Sequence, residues 1–171
     1  PFPYKRYAIG NVWRNEKSGN ARYREFTQAD VDIIGNVSKS QADAEICNII
    51  ADTLTKCGLS DKEFKVNISN RKIVQGLINQ LKIYDKAQEL KVIRAIDKLD
   101  RVGLKGVEDL LKKERVDSSG AVTKGANLSD TQASEILNFL KIKNLEDLKS
   151  ILKNPLSAEG IKEIEELLEI V

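Results

Sequence analysis

Four arginines, Arg6, Arg14, Arg22 and Arg24, surround a short polar loop between two strand-like runs early in the chain. Guanidinium groups stay charged and present forked donors that match phosphate and carboxylate oxygens, whereas Glu16, Gln28 and Asp32 offer acceptors to amine or ring N–H groups. Residues 6–35 therefore carry the chemistry to hold a triphosphate and an amino compound together. Alternation along a strand would put Arg24, Phe26, Gln28, Asp30 and Asp32 on one face, an aromatic platform beside polar recognition groups. Taken alone, the same residues also describe a solvated arginine-rich hairpin with Phe26 in a core.

The elements that must position these groups follow from the patterning. Residues 6–13 and 23–34 alternate or run in β-branched and aromatic residues, and the loop over 16–21 reads as the connection of an antiparallel pair. From Gln41 to Cys57, Ala44, Ile46, Cys47, Ile50, Ala51 and Leu54 recur at helical spacing, with Gly58 as the stop. Phe64–Ile68 predicts a further strand and Arg71–Leu81 a short helix. The first 81 residues thus predict part of an α+β domain, with too few strands for a complete sheet.

Past Leu81 the strand signals stop, and residues 82–171 predict short helices joined by polar loops. Ser129 with Gln132 forms a capping-box pattern, and Asn144 and Ser157 are expected N-caps of the next two helices. Residues 117–127, rich in small residues, predict an exposed loop. The last helix carries Ile161, Ile164, Leu167, Leu168 and Val171 on one face and acidic residues on the other. Lys91, Arg94, Lys98 and Arg101 trace one face of a helix predicted over 87–102, and Lys105 extends the stripe. Such a stripe suits RNA phosphates, although Asp97 and Asp100 nearby also fit a plain solvated face.

Composition sets the outer bounds. The chain has 171 residues, 41% of them apolar, enough for one domain or somewhat more. No run approaches the roughly 18 apolar residues of a membrane span, so a cytoplasmic protein is expected. Histidine is absent, which removes histidine-based acid–base catalysis, serine triads and histidine metal ligands. Cys47 and Cys57 fit neither a disulfide framework nor a zinc site and read as buried filler, and no metal site is expected in the chain. The net charge of +2 hides a gradient. Residues 1–24 hold six bases against Glu16 alone, whereas residues 144–171 hold three lysines against seven acids.

Trp13-Arg14-Asn15-Glu16, followed by Arg22-Tyr23-Arg24-Glu25-Phe26-Thr27-Gln28-Ala29-Asp30-Val31-Asp32-Ile33-Ile34-Gly35, resembles motif 2 of the histidyl-tRNA synthetases. Residues 42–45, 64–76 and 95–102 continue the similarity in the same order. The resemblance implies part of a class II synthetase antiparallel sheet with helices over residues 1–81. It implies a mostly helical insertion that grips the tRNA acceptor arm over 82–171. It further implies Arg14 as the catalytic cation at the α-phosphate of ATP, Glu16 at the adenine amino group, Arg22 at the outer phosphates and Phe26 against the adenine ring. Gln28 and Asp32 would meet the histidine substrate, and Lys91, Arg94, Lys98, Arg101 and Lys105 become candidates for tRNA contact.

ATP with Mg2+, histidine and tRNA(His) are the implied substrates, and a homodimer is the implied parent assembly. One departure stands out: Ala21 precedes Arg22 where the family usually has glycine, so Gly19 is expected to take over the turn. With no methionine at its start and no counterpart of motifs 1 and 3, the chain reads as an internal fragment, inactive alone. Two other readings compete. One is a histidine-sensing regulatory paralogue, such as the regulatory subunit of ATP phosphoribosyltransferase. The other is a synthetase-like tRNA-sensing domain. The intact Arg14, Glu16 and Phe26 set, and the length of the helical part, weigh against the regulatory subunit.

Overall fold

The computed structural model describes residues 3–16, 19, 22–112, 114–116 and 122–171. Its elements are β1 (Tyr4–Trp13), β2 (Glu25–Ile34), α1 (Lys39–Lys56), α2 (Arg71–Gln80), α3 (Lys86–Ile96) and α4 (Leu99–Lys112). There follow β3 (Glu114–Val116), β4 (Val122–Lys124), α5 (Asp130–Lys141), α6 (Leu145–Ile151) and α7 (Pro155–Leu168). The fold is α+β, as the patterning predicted. The chain divides into two compact units, residues 1–67 with 166–171, and residues 68–165.

In the first unit β1 and β2 form an antiparallel pair in register from Tyr4↔Ile34 to Trp13↔Glu25. Alternation then separates two faces. One carries Arg6, Ala8, Gly10 and Val12 beside Phe26, Gln28, Asp30 and Asp32. The other carries Lys5, Tyr7 and Ile9 beside Ala29 and Val31, and α1 lies over it. A cavity of about 430 Å³ opens there between these strand residues and Ile49 and Thr53 of α1, and Lys5 Nζ reaches Glu45 Oε1 at 2.6 Å. The predicted helix is present, with Gly58 at φ +96° just beyond its end.

Two expectations fail in this unit. Phe64–Ile68 makes no ladder among the described residues. Its alternation is kept, with Phe64 and Val66 half-buried between exposed neighbours, but a strand also needs a hydrogen-bonding partner. Cys57 is exposed and only Cys47 is half-buried, because Cys57 falls on the last, capping position of α1 rather than on its covered face.

The second unit is helical and built around Ile73, Leu77, Ile78, Val92, Val107, Leu111, Ala133, Ile136 and Ile161. Its helix starts follow capping chemistry. Asn70 Oδ1 accepts from Lys72 N at 2.9 Å, Asp85 Oδ1 from Ala87 N at 2.8 Å and Asn144 Oδ1 from Asp147 N at 2.8 Å. Ser129 and Gln132 form the predicted capping box.

Ser157 is not a cap. Pro155 occupies the first turn of α7, where a missing N–H costs nothing, and Asn154 Oδ1 accepts from Leu156 N at 3.0 Å. Ser157 is instead wholly buried, its Oγ donating to the Ile73 carbonyl at 3.3 Å. At the far end of α7, Leu167 is buried and its neighbour Leu168 exposed, because successive helical positions turn by about 100°, and Val171 is exposed beyond the end of the helix. A hydrogen-bonded pair of lysine and glutamate, Lys72–Glu163 at 2.6 Å, joins α2 to α7, and Glu159 also pairs with Lys72. Bonding to Glu159, then to Glu163, raises the Lys72 pKa above its ordinary value. The contact is thus present at neutral pH and is lost as pH rises through that raised lysine range.

The helix predicted over 87–102 is two pieces. It ends at Ile96, restarts at Leu99 and breaks again at Gly103, which adopts φ +66°, ψ 175°, a conformation open only to glycine. The segment expected as an exposed loop includes a short strand and buried residues. Residues 117–121 lie outside the described residues, but β3 and β4 pair on either side of them, from Glu114↔Lys124 to Val116↔Val122. Ala126 and Leu128 are buried, and their N–H groups donate to the Leu110 and Leu111 carbonyls at 2.8 and 3.0 Å. Those carbonyls belong to the last turn of α4 and have no partner within the helix, so the segment satisfies them where composition alone suggested a solvated loop.

Close approach of α2 and α7 sets the tolerance of this unit. A Cβ added to Gly76 would stand 1.9 Å from Ser157 Oγ and 2.6 Å from Ser157 N. Gly76→Ala should lower unfolding free energy by about 2 kcal/mol or more in chemical denaturation. Ser157→Gly should restore little of it, because the backbone nitrogen stays in place.

Candidate functional site

The hairpin carries the predicted groups on its first face. Beyond the last paired residues, Arg14 N donates to the Arg24 carbonyl at 2.8 Å, so the ladder runs on into the arginine cluster. The Arg14 guanidinium lies over the Phe26 ring, 4.9 Å from its centroid, and its Nη2 donates to Gln28 Oε1 at 3.0 Å. A cation on an aromatic face with one fork occupied keeps its remaining donors free to meet an anion. Ala8 and Gly10 stand opposite Asp30 and Gln28, so β1 adds little bulk to this face.

Arg22 Nη1 is 4.0 Å from Glu16 Oε2, both side chains largely exposed, and Arg24 Nε donates to the Glu16 carbonyl at 3.3 Å. Gly19 and Arg22 exchange backbone hydrogen bonds of 3.1 and 3.0 Å, closing the tip of the loop. Ala21, whose replacement of a glycine bears on this turn, lies outside the described residues.

Sequence reasoning grouped Arg6 with the loop. The structure places it at the opposite end of the hairpin, where Nη2 pairs with Asp32 Oδ2 at 2.5 Å. Seven paired positions, Tyr7 to Trp13, separate it from the loop, which proximity in sequence could not reveal. At about 3.3 Å per residue, Gln28 and Asp32 stand about 13 Å apart along β2. The face is therefore an elongated strip with a cation at each end and acceptors between. Among the described residues no group of three or more potential metal ligands occurs.

The second candidate surface is reorganised. Lys91, Arg94 and Lys98 line a cavity of about 220 Å³ together with Ala95, Leu110 and Lys124. Arg101 and Lys105 are exposed but do not line it, since the turn after Ile96 and the break at Gly103 take them out of the helical phase. Lys124 was missed because it belonged to a stretch without periodicity. Asp97, which might have neutralised the stripe, lines a different cavity with Arg71, Gln75 and Leu90.

Comparisons with known proteins agree with this architecture. The backbone resembles the crystal structure of a histidyl-tRNA synthetase from Nostoc sp. PCC 7120, with a TM-score of 0.74 over 100% of this chain and 37% of that one, at 24% identity. The chain thus shares the fold of part of an aminoacyl-tRNA synthetase structure. The histidyl-tRNA synthetase family model matches residues 1–120. A histidine–tRNA ligase of Pelagibacter ubique is 69% identical over 173 residues, and one of Ruegeria pomeroyi is 41% identical over 174. These matches cover 100% and 98% of the chain but 37% and 35% of the relatives, so the chain spans little more than a third of their length. The chain belongs to the histidyl-tRNA synthetase family.

No helix among the described residues is long and apolar enough to cross a membrane. The Arg6–Asp32 pair is 47% and 37% exposed, so water screens it and its contribution to folding is small. Asp32→Asn should change unfolding free energy by less than about 1 kcal/mol in thermal denaturation, which leaves Asp32 free for recognition.

Proposed function

We propose that the chain is the motif 2 portion of a histidine–tRNA ligase, which joins histidine to ATP as histidyl-adenylate and passes it to tRNA(His). Residues 1–81 then contribute part of the catalytic domain and residues 82–171 its helical insertion. The observation that carries this is the contact of Arg14 with both Phe26 and Gln28, because it brings the nucleotide side and the amino-acid side together on one strand face.

In the reaction, a histidine carboxylate oxygen attacks the α-phosphorus of ATP, the new C–O–P linkage forms and the bond to the β-phosphate oxygen breaks, releasing pyrophosphate. Negative charge gathers at the α-phosphate oxygens. Arg14 is the catalytic residue that meets it, a fixed cation needing no proton transfer. Phe26 supplies the face on which the adenine ring stacks, Glu16 accepts from its amino group, and Arg22 holds the outer phosphates. Exchange of Arg22 from its 4.0 Å contact with Glu16 to those phosphates would leave Glu16 free for the base. Gln28 and Asp32 receive the histidine, the carboxylate of Asp32 matching an amino or imidazole N–H. Mg2+ enters with the triphosphate as part of the substrate. The parent enzyme is expected to be a cytoplasmic homodimer, and the basic residues Lys91, Arg94, Lys98, Arg101 and Lys105 are candidates for tRNA contact.

The test is histidine-dependent exchange of labelled pyrophosphate into ATP by the full-length polypeptide, with other amino acids as controls. Arg14→Ala should lower exchange by about two to three orders of magnitude with thermal stability unchanged. Unaltered exchange in that variant would remove Arg14 from the reaction.

A further inference from the structure

Three polar side chains follow one another on the open face of β2 and differ in charge. Gln28 is neutral and stands opposite Gly10, Asp30 stands opposite Ala8, and Asp32 stands opposite Arg6. Arg14 bonds Gln28, and Asp30 enters no ion pair among the described residues. Of the two carboxylates, Asp32 alone has a cation set against it, with Arg6 Nη2 2.5 Å from its Oδ2. The pair is half-exposed and adds little to folding, so its consequence lies in the charge it presents to a ligand. No hydrogen bond to Asp32 occurs among the described residues, which leaves the lone pairs of Oδ1 to an outside donor.

In the adenylate-forming reaction proposed above, the histidine carboxylate reaches the α-phosphate beside Arg14, whose guanidinium rests on Phe26 and Gln28. Asp32 stands about 13 Å beyond Gln28, toward the other end of the strip. A histidine held by its carboxylate near Arg14 therefore directs its imidazole toward Asp32. The ring has an ordinary pKa of about 6.5 and is mostly uncharged at neutral pH. A bare carboxylate favours the imidazolium, because an opposite charge nearby stabilises the protonated ring. A carboxylate balanced by a guanidinium has no net charge and accepts from a neutral ring N–H without that preference.

The other titratable groups around Asp32 do not supply this balance. Asp30 lies two residues toward the loop on β2, and Tyr4 lies two residues before Arg6 on β1. On the opposite face, covered by α1, Lys5 is paired with Glu45. Among the described residues of the hairpin, Arg6 is the only base on the open face at that end.

We propose that Arg6 is a positioning residue that sets the specificity of the site for uncharged histidine. It holds Oδ2 of Asp32 and cancels the charge, so that Oδ1 accepts an N–H from neutral imidazole and the imidazolium gains no advantage. The inference rests on the ligase function proposed above and adds a residue that touches Asp32 rather than the substrate. Its task differs from that of Arg14 and Arg22, since it addresses a carboxylate of the protein and not a phosphate.

The test is histidine-dependent pyrophosphate exchange by the full-length polypeptide at pH values bracketing about 6.5. It compares the wild type, Arg6→Gln, Arg6→Lys and the double variant Arg6→Gln, Asp32→Asn. In the wild type, KM for histidine should rise as pH falls through that range, because the uncharged ring is depleted. In Arg6→Gln, KM above neutral pH should increase about tenfold with kcat changed less than about threefold. Its KM should no longer rise toward acid pH, since the unbalanced Asp32 takes the imidazolium. Arg6→Lys keeps the charge balance and should retain the acid rise. The double variant again has no net charge at the pair and should regain that rise, with affinity below the wild type.

A wild-type KM and pH profile in Arg6→Gln would overturn the proposal. So would an increase by the same factor at every pH, the mark of a disturbed strand, or a wild-type KM that does not rise toward acid pH. A double variant that keeps the profile of Arg6→Gln would also overturn it. Thermal unfolding of Arg6→Gln should match the wild type, and failure of this variant to fold would make the pair structural and count against the proposal. Absence of exchange in the wild type would instead overturn the ligase function. Calorimetric binding of histidine over the same pH range then decides Arg6: loss of the acid dependence in Arg6→Gln supports the inference, and no binding or an unchanged dependence overturns it.

Discussion

The antiparallel register of β1 on β2 is the constraint from which the site follows. Because side chains alternate, a slip of one residue would put Tyr7 and Ile9 of one strand on the same face as Gln28 and Asp32 of the other, mixing the two faces. The observed register is pinned by what each face does. Lys5 reaches Glu45 on α1 from one face, while Arg6 pairs with Asp32 and Arg14 with Gln28 on the other. Backbone pairing thus becomes an arrangement of charges: a strip with a guanidinium at either end and polar acceptors between.

This unit has little core of its own. Tyr7 and Ile9 are 78% and 70% exposed, and a two-stranded sheet by itself is marginal. Its residues are arranged more for chemistry than for burial. The second unit is the reverse, with a continuous apolar core, tight helix contact at Gly76 and Ser157, and capping side chains at most helix starts. Apart from the buried Ser157 and Glu89, its ion pairs lie toward the surface, where Lys72, Lys112 and Lys149 are matched by carboxylates.

Exceptions to that pairing occur in both units. A cation left without a carboxylate is available to an outside anion. On the hairpin, Arg14 spends one donor on Gln28 and rests on Phe26, with no ion pair among the described residues. On α3, Lys91, Arg94 and Lys98 are likewise unmatched among the described residues. Both units thus carry positive charge that no ion pair among the described residues neutralises.

The residue types and their spacing determined the hairpin, α1, α2, the capping box at Ser129 and the family, because local hydrogen bonding and alternation are short-range properties written in neighbouring residues. Phe26, Gln28, Asp30 and Asp32 were legible as one face for that reason, whereas the place of Arg14 over Phe26 was not. The tertiary structure decided what depends on partners distant in sequence. Phe64–Ile68 has the alternation of a strand but no neighbour to pair with, and Ser157 has the chemistry of a cap but lies buried against Gly76. Arg6 belongs with Asp32 only because the strands run antiparallel, and Lys124 belongs with Lys91 only because the segment after β4 completes the last turn of α4. Periodicity records which side of an element a residue occupies. Which other element faces that side is settled by packing and by the pairing of backbone groups across the fold.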